Sequence, residues 1–273
     1  MTDFEFLRNI NIGQYLPGNS LLHRLDPRAK IIVFTVFILV LTFTRSLQGL
    51  VLGLVIILPG LLLARIPLRF ALRGLAAPLP FLLFLALLQL FLTPAANPAD
   101  VLWQWRFLQI TGAGVMASVM LLVRFTALIL TIGLATSVTS SSDLLVGMNA
   151  LLRPLTRIGV PAEDAVMMVQ VALRFLPLLA VTAERTAKAQ ASRGADWSPV
   201  KGNLAAQIRR IAPLIVPLFI SSLNKAERMA LAMDARAYGS HRPRGSMREL
   251  LFTWKDAAAI ILALLLSAAV FIA

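Results

Sequence analysis

Arg193 lies between Ser192 and Gly194, and Arg236 lies between Ala235 and Ala237, so each guanidinium is flanked by residues with almost no side chain. A guanidinium left prominent by small neighbours can enter a groove on another protein and make bidentate hydrogen bonds to carboxylates or backbone carbonyls. The two triplets also close a repeated pattern. Glu184-Arg185-Thr186-Ala187-Lys188-Ala189-Gln190-Ala191-Ser192-Arg193-Gly194 is echoed by Glu227-Arg228-Met229-Ala230-Leu231-Ala232-Met233-Asp234-Ala235-Arg236-Ala237, with Glu, Arg, both alanines and the final Arg in one register. A plainer reading has the arginines capping helix C-termini, where a cation gains about 0.3–1 kcal/mol. That explains the charge but neither the small neighbours nor the repeat, so docking is the favoured reading.

Other chemistry is sparse, and no catalytic residue or metal site is expected. The two histidines, His23 and His241, sit far apart in basic segments, and no grouping of Ser, His and Asp stands out. The apolar runs hold no Asp or Glu, which leaves a proton relay or ion-coupling carboxylate little to build on. No Gly-Lys-Ser or Gly-Lys-Thr phosphate loop is present, so any nucleotide site must be supplied by a partner. There is no cysteine, hence no disulfide. The basic loops lack interleaved aromatics, which argues against nucleic acid.

The elements that must position the arginines follow from composition. Of 273 residues, 58% are hydrophobic, above the roughly 45–50% of a soluble domain. This predicts an all-α integral membrane protein with about five transmembrane helices plus cytoplasmic or interfacial amphipathic helices. The net charge of +13 fits cytoplasmic loops and lipid headgroups. The first 28 residues are polar and read as a basic flank that holds the N-terminus in the cytoplasm, with no signal peptide.

Apolar runs over 29–43, 47–64, 75–92, 112–135 and 257–273 are the expected spans. Pro78 and Pro80 should bend the third at its start, after a connection over 65–73 that carries Arg65, Arg69 and Arg73. The stretch 93–111, with Trp103 and Trp105, reads as an outward loop. Arg124 interrupts the fourth span and must face a partner rather than lipid, either as a structural pairing or in a subunit contact. Three regions result: a flank and four-helix membrane part over 1–135, an interfacial coupling region over 136–254, and a last span over 255–273.

Within the middle region, Leu144, Met148, Leu151, Leu155 and Ile158 predict a short amphipathic helix behind the caps of 139–143. A long helix follows from about Ala162, and a second lies beyond a turn over 196–203. The first carries a seam of Val166, Val169, Leu173, Leu176, Ala180, Ala183 and Ala187, at spacings of three and four. The second repeats it with Val216, Phe219, Leu223, Ala226, Ala230, Met233 and Ala237. Alanines along a seam let two backbones approach, so the helices are expected to cross. Glycine 194 or 239 should stop each helix, and 241–248 forms a basic loop.

At these residues the chain resembles the transmembrane T component of energy-coupling factor transporters. The marks run from Gly13-Gln14-Tyr15 and His23-Arg24-Leu25-Asp26-Pro27-Arg28 through Ala172-Leu173-Arg174-Phe175 to Met233-Asp234-Ala235-Arg236-Ala237-Tyr238-Gly239. The family's Ala-Arg-Gly triplets stand here as Ser-Arg-Gly and Ala-Arg-Ala. The resemblance implies a non-catalytic subunit in a prokaryotic plasma membrane. Its crossed helices would set Arg193 and Arg236 into two ABC-type ATPases beneath a substrate-binding S component. ATP and Mg would be bound by the ATPases, with no cofactor in this chain. The N-terminal run is closer to the shared, vitamin-serving form than to the cobalt or nickel form. The competing reading is a stand-alone membrane scaffold or carrier whose amphipathic helices lie on anionic lipid.

Overall fold

A computed structural model of the chain describes residues 16, 18, 20–94, 100–105, 108–159, 162–195, 204–239, 250 and 252–273. Gly13-Gln14-Tyr15, the turn over 196–203 and the basic loop over 241–248 lie outside the described residues. The fold is helical apart from one two-stranded hairpin, and it divides into two compact units.

In the larger unit, α1 (Pro27–Phe43) begins where Pro27 presets the first helical φ and the Asp26 side chain accepts the Arg28 N–H at 2.9 Å. Ser46 caps α2 (Leu47–Leu63) by accepting the Gly49 N–H at 3.1 Å. Where a single span from residue 75 and a connection before it were expected, two helices form. α3 (Leu68–Ala76) and α4 (Leu79–Leu92) meet at a 55° bend. Pro78 and Pro80 lack the N–H groups that would continue the first helix into the second.

The expected loop over 93–111 instead contains a hairpin, β1 (Val101–Trp105) against β2 (Leu108–Thr111), with Trp103 opposite Ile110 and Trp105 opposite Leu108. Thr111 then caps α5 (Gly112–Val138). A Cβ at Gly114 would lie 2.8 Å from the Leu90 carbonyl, so glycine is what lets α5 meet the end of α4. Ser118 Oγ ties the same pair by donating to the Ala86 carbonyl at 2.9 Å.

Ser140 caps α6 (Ser141–Leu152), which runs into a 3-10 turn over Arg153–Ile158. α9 (Trp254–Ile272) opens with a capping box of Thr253 and Asp256 and packs on α1 and α2. A Cβ at Gly49 would lie 2.3 Å from the Val270 carbonyl, and one at Gly53 would lie 2.5 Å from Leu41 Cδ2. This G-x-x-x-G surface of α2 sets the closest helix approach in the unit. Leu41, Leu50, Leu61, Val138 and Val270 fill the centre.

Polar locks hold the apolar frame. Lys30, 2% exposed, donates to the carbonyls of His23 (2.8 Å) and Val138 (3.3 Å), the latter at the end of α5. In return Arg124 Nη2 of α5 donates to the Thr44 carbonyl at the end of α1, at 2.6 Å. Each cation thus sits on the negative end of the other helix's dipole. Asp256, also buried, accepts the Asp26 N–H at 2.7 Å and the Thr253 N–H at 2.8 Å, joining the starts of α1 and α9. His23 is held between Ser20 Oγ (2.6 Å) and the Leu16 carbonyl (3.0 Å). Residues 20–28, within the segment read as a basic flank, therefore form a structural clasp.

Among the described residues, three helices are long and apolar enough to cross a membrane: Gly112–Val138, Glu163–Ser192 and Trp254–Ile272. The bent α3–α4 pair makes a fourth, and Leu47–Leu63 is shorter. Glu163–Ser192 falls in the region read as interfacial. Its charges gather toward the two ends, Glu163 and Asp164 at the start and Glu184, Arg185 and Lys188 near the close, which leaves residues 165–183 with Arg174 alone among apolar side chains.

Replacing Lys30 by Met keeps the stem but strands two carbonyls. Hydrogen bonds to a charged group contribute about 1.5–3 kcal/mol. Lys30→Met should accordingly lower the thermal unfolding midpoint of the detergent-purified chain, and an unchanged midpoint would rule out Lys30 as the link between α1 and α5.

Candidate functional site

The smaller unit is built on α7 (Ala162–Ser192) and α8 (Leu204–Asp234), each 31 residues long. Glu163 and Asp164 in the first turn of α7 complement its dipole. Within α7, Lys188 pairs with Glu184 one turn earlier. Pro177 in α7 and Pro213 and Pro217 in α8 fall within the helices.

The two C-termini share one backbone motif. At the end of α7, Ala195 N–H bonds the Gln190 carbonyl and Gly194 N–H bonds the Ala191 carbonyl, both at 3.0 Å. At the end of α8, Tyr238 N–H bonds the Met233 carbonyl at 3.0 Å and Ala237 N–H bonds the Asp234 carbonyl at 2.8 Å. Both are Schellman caps, with a left-handed residue directly after the arginine: Gly194 at φ 86° and Ala237 at φ 56°. Arg193 and Arg236 are thus equivalent cap residues at the mouths of two equivalent turns.

The small residue after each arginine has a backbone cause, which a reading of the triplets as side-chain clearance missed. Position 237, rather than Gly239, is the left-handed stop of α8. The last carbonyls are satisfied by main-chain N–H groups, so the guanidinium groups are not needed to cap. Both arginines are exposed, and neither guanidinium has a hydrogen bond or ion pair among the described residues.

The helices meet through Lys225 Nζ, which donates to Thr182 Oγ1 at 2.8 Å. These two residues stand 43 apart, the same offset that relates Arg193 to Arg236, so equivalent points of the repeat touch each other. Further along, Tyr238 OH donates to Asp164 Oδ1 at 3.3 Å and ties the α8 tip to the start of α7. Between these contacts lies a groove of about 600 Å³ lined by Met167, Met168, Phe175, Met229 and Met233 among others.

The predicted seam divides across this arrangement. Ala226 and Ala230 line the groove opposite α7. Ala187 is buried, Ala180 and Ala183 are half-buried, and Leu223 is 50% exposed. Ser192 and Ala235 end their helices, exposed beside the arginines. Arg124 belongs to the other unit, on the Thr44 carbonyl. Sequence reasoning did not single out Tyr238 and Asp164, whose meeting depends on the crossing. Among the described residues no group of three or more His, Cys, Asp or Glu side chains is placed to hold a metal.

Comparison with known proteins gives this geometry a family. The family model described as cobalt transport protein, CbiQ, matches residues 18–247. The chain belongs to the CbiQ family. Similar relatives are named energy-coupling factor transporter transmembrane protein EcfT. The one from Acidaminococcus fermentans is 39% identical over 92% of this chain and 91% of its own length. Those from Clostridium kluyveri (36%, over 95% of both chains) and Bacillus subtilis (33%, over 95% of this chain and 96% of its own) extend the match. This CbiQ-family chain is a transmembrane component of energy-coupling factor transporters.

The caps make a direct prediction. A left-handed conformation costs an L-residue roughly 1–2 kcal/mol, so Ala237→Gly should slow amide exchange in the last turn of α8 by about tenfold. Gly194→Ala should speed it in the last turn of α7. Exchange unchanged by either substitution would mean that the ends do not hold this cap.

Proposed function

We propose that this chain couples ATP hydrolysis in two ABC-type ATPases to a membrane-embedded, substrate-binding S component of a vitamin or micronutrient importer. The observation that carries the reading is the pair of equivalent caps, each presenting an exposed arginine whose guanidinium has no partner among the described residues. Two tips with the same terminal turn suit two similar receptors. The name of the relatives, which places them in energy-coupling factor transporters, supports the same assembly.

In this reading Arg193 and Arg236 enter grooves on separate ATPases, with Ser192, Gly194, Ala235 and Ala237 leaving room for the contact. ATP and Mg belong to those partners. Closure of the ATPases moves the tips, and the crossing transmits the movement along Ala180, Ala183, Ala187, Leu223, Ala226 and Ala230 toward the S component. The subunit is not itself an enzyme. It is a multi-pass protein of a prokaryotic plasma membrane with its N-terminus in the cytoplasm, and the transported substrate is chosen by the S component.

Co-purification tests the reading. Tagged chain should bring down two subunits that carry phosphate loops, and the double variant Arg193→Glu, Arg236→Glu should insert normally yet lose them. Wild-type uptake by that variant would overturn the docking role. Ala226→Leu fills the groove side of the crossing and should reduce uptake while sparing ATPase binding, and full uptake would show that the approach of the two helices is not used.

A further inference from the structure

We infer that one end of the larger unit is a docking belt for anionic phospholipid headgroups. Several contacts bring the same end of the helices to one level. Lys30 joins the start of α1 to the end of α5, and Asp256 joins it to the start of α9. Gly60, near the end of α2, lies against Leu134 in the last turns of α5, and Gly147 of α6 lies against Pro27.

Four exposed bases project from this end: Arg24 before α1, Arg65 after α2, Arg153 after α6 and Lys255 in the first turn of α9. Among the described residues, the acids of the same end are drawn to other groups. Asp26 and Asp256 are buried, with their carboxylate oxygens occupied by helix N-terminal N–H groups, and Asp143 is drawn into the first turn of α6.

Large apolar side chains stand among the bases, with Trp254 74%, Leu21 70% and Phe252 54% exposed. Exposed bases interleaved with an exposed indole and aliphatic anchors form the composition of a membrane interface. The charge excess selects the lipid. A zwitterionic headgroup brings its own cation to the belt, whereas a phosphatidylglycerol-type phosphate brings only the complementary charge.

Quenching of Trp254 tests this in the full-length chain. Trp103, Trp105 and Trp197 are replaced by Phe, and the protein is reconstituted with phosphatidylcholine or phosphatidylglycerol brominated near the headgroup. Brominated phosphatidylglycerol should quench Trp254 at a several-fold lower mole fraction than brominated phosphatidylcholine. The preference should shrink as salt screens the exposed charges and vanish in the variant Arg24→Gln, Arg65→Gln, Arg153→Gln, Lys255→Gln. Should that variant fail to reconstitute, Lys255→Gln alone, beside the reporter, should still reduce the preference. Equal quenching by the two lipids would overturn the proposal and leave the belt to an acidic protein surface, as would a preference that survives both high salt and Lys255→Gln.

Discussion

The larger unit depends on a reciprocal exchange between two antiparallel helices. α1 lends Lys30 to the last carbonyl of α5, and α5 lends Arg124 to the last carbonyl of α1. From Lys30 to Thr44 and from Arg124 to Val138 is the same length of chain, so the two bonds fit only one register. Burying a cation away from water is unfavourable unless its donors are satisfied, and here the acceptors are carbonyls that helix geometry leaves open. Each helix therefore solves the other's end problem. A slide by one turn would strand both cations and both carbonyls, whereas apolar packing alone discriminates weakly among neighbouring registers in lipid. Asp256 adds α9 to the same frame by gathering two helix starts on one carboxylate.

The smaller unit uses a different economy. It repeats one helix design, with the same terminal turn and an equivalent contact point at Thr182 and Lys225. The repeat is not perfect. Tyr238 stands where the first copy has Ala195, and among the described residues it ties the second tip to the start of α7 through Asp164. The methionines beside that anchor give a surface that adapts to its contents more readily than branched side chains would.

Much of this was legible in the chain because its signals are local. The apolar runs over 29–43 and 47–64 marked two helices, and the three-and-four spacing from Val166 marked a long one. Arginines repeated at one offset marked equivalent ends. The hairpin at Val101–Thr111 was readable too, since Val101, Trp103, Trp105, Leu108 and Ile110 carry the alternation of a strand, but the tryptophans suggested a loop at the membrane surface. The helix over Leu68–Ala76 was hidden by its arginines, which read as a connection. What lay beyond reach was tertiary. Nothing near Asp26 and Lys30 announces that their partners are Asp256 and Val138, and nothing near Ala237 announces a left-handed backbone.

The placement of Arg124 has one more consequence. It lies near the middle of α5, yet it meets the very end of α1. The half of α5 before it, paired with α4 and leading from the hairpin, continues past the turn at Thr44–Ser46. α1 and α2, at 17 residues each, rise roughly 25 Å, while α5, at 27 residues, rises roughly 40 Å. The unit is stepped, low on the α1–α2 side and tall on the α4–α5 side. A flat bilayer matched to the tall side would leave the low side short, a mismatch that lipids answer by thinning or tilting.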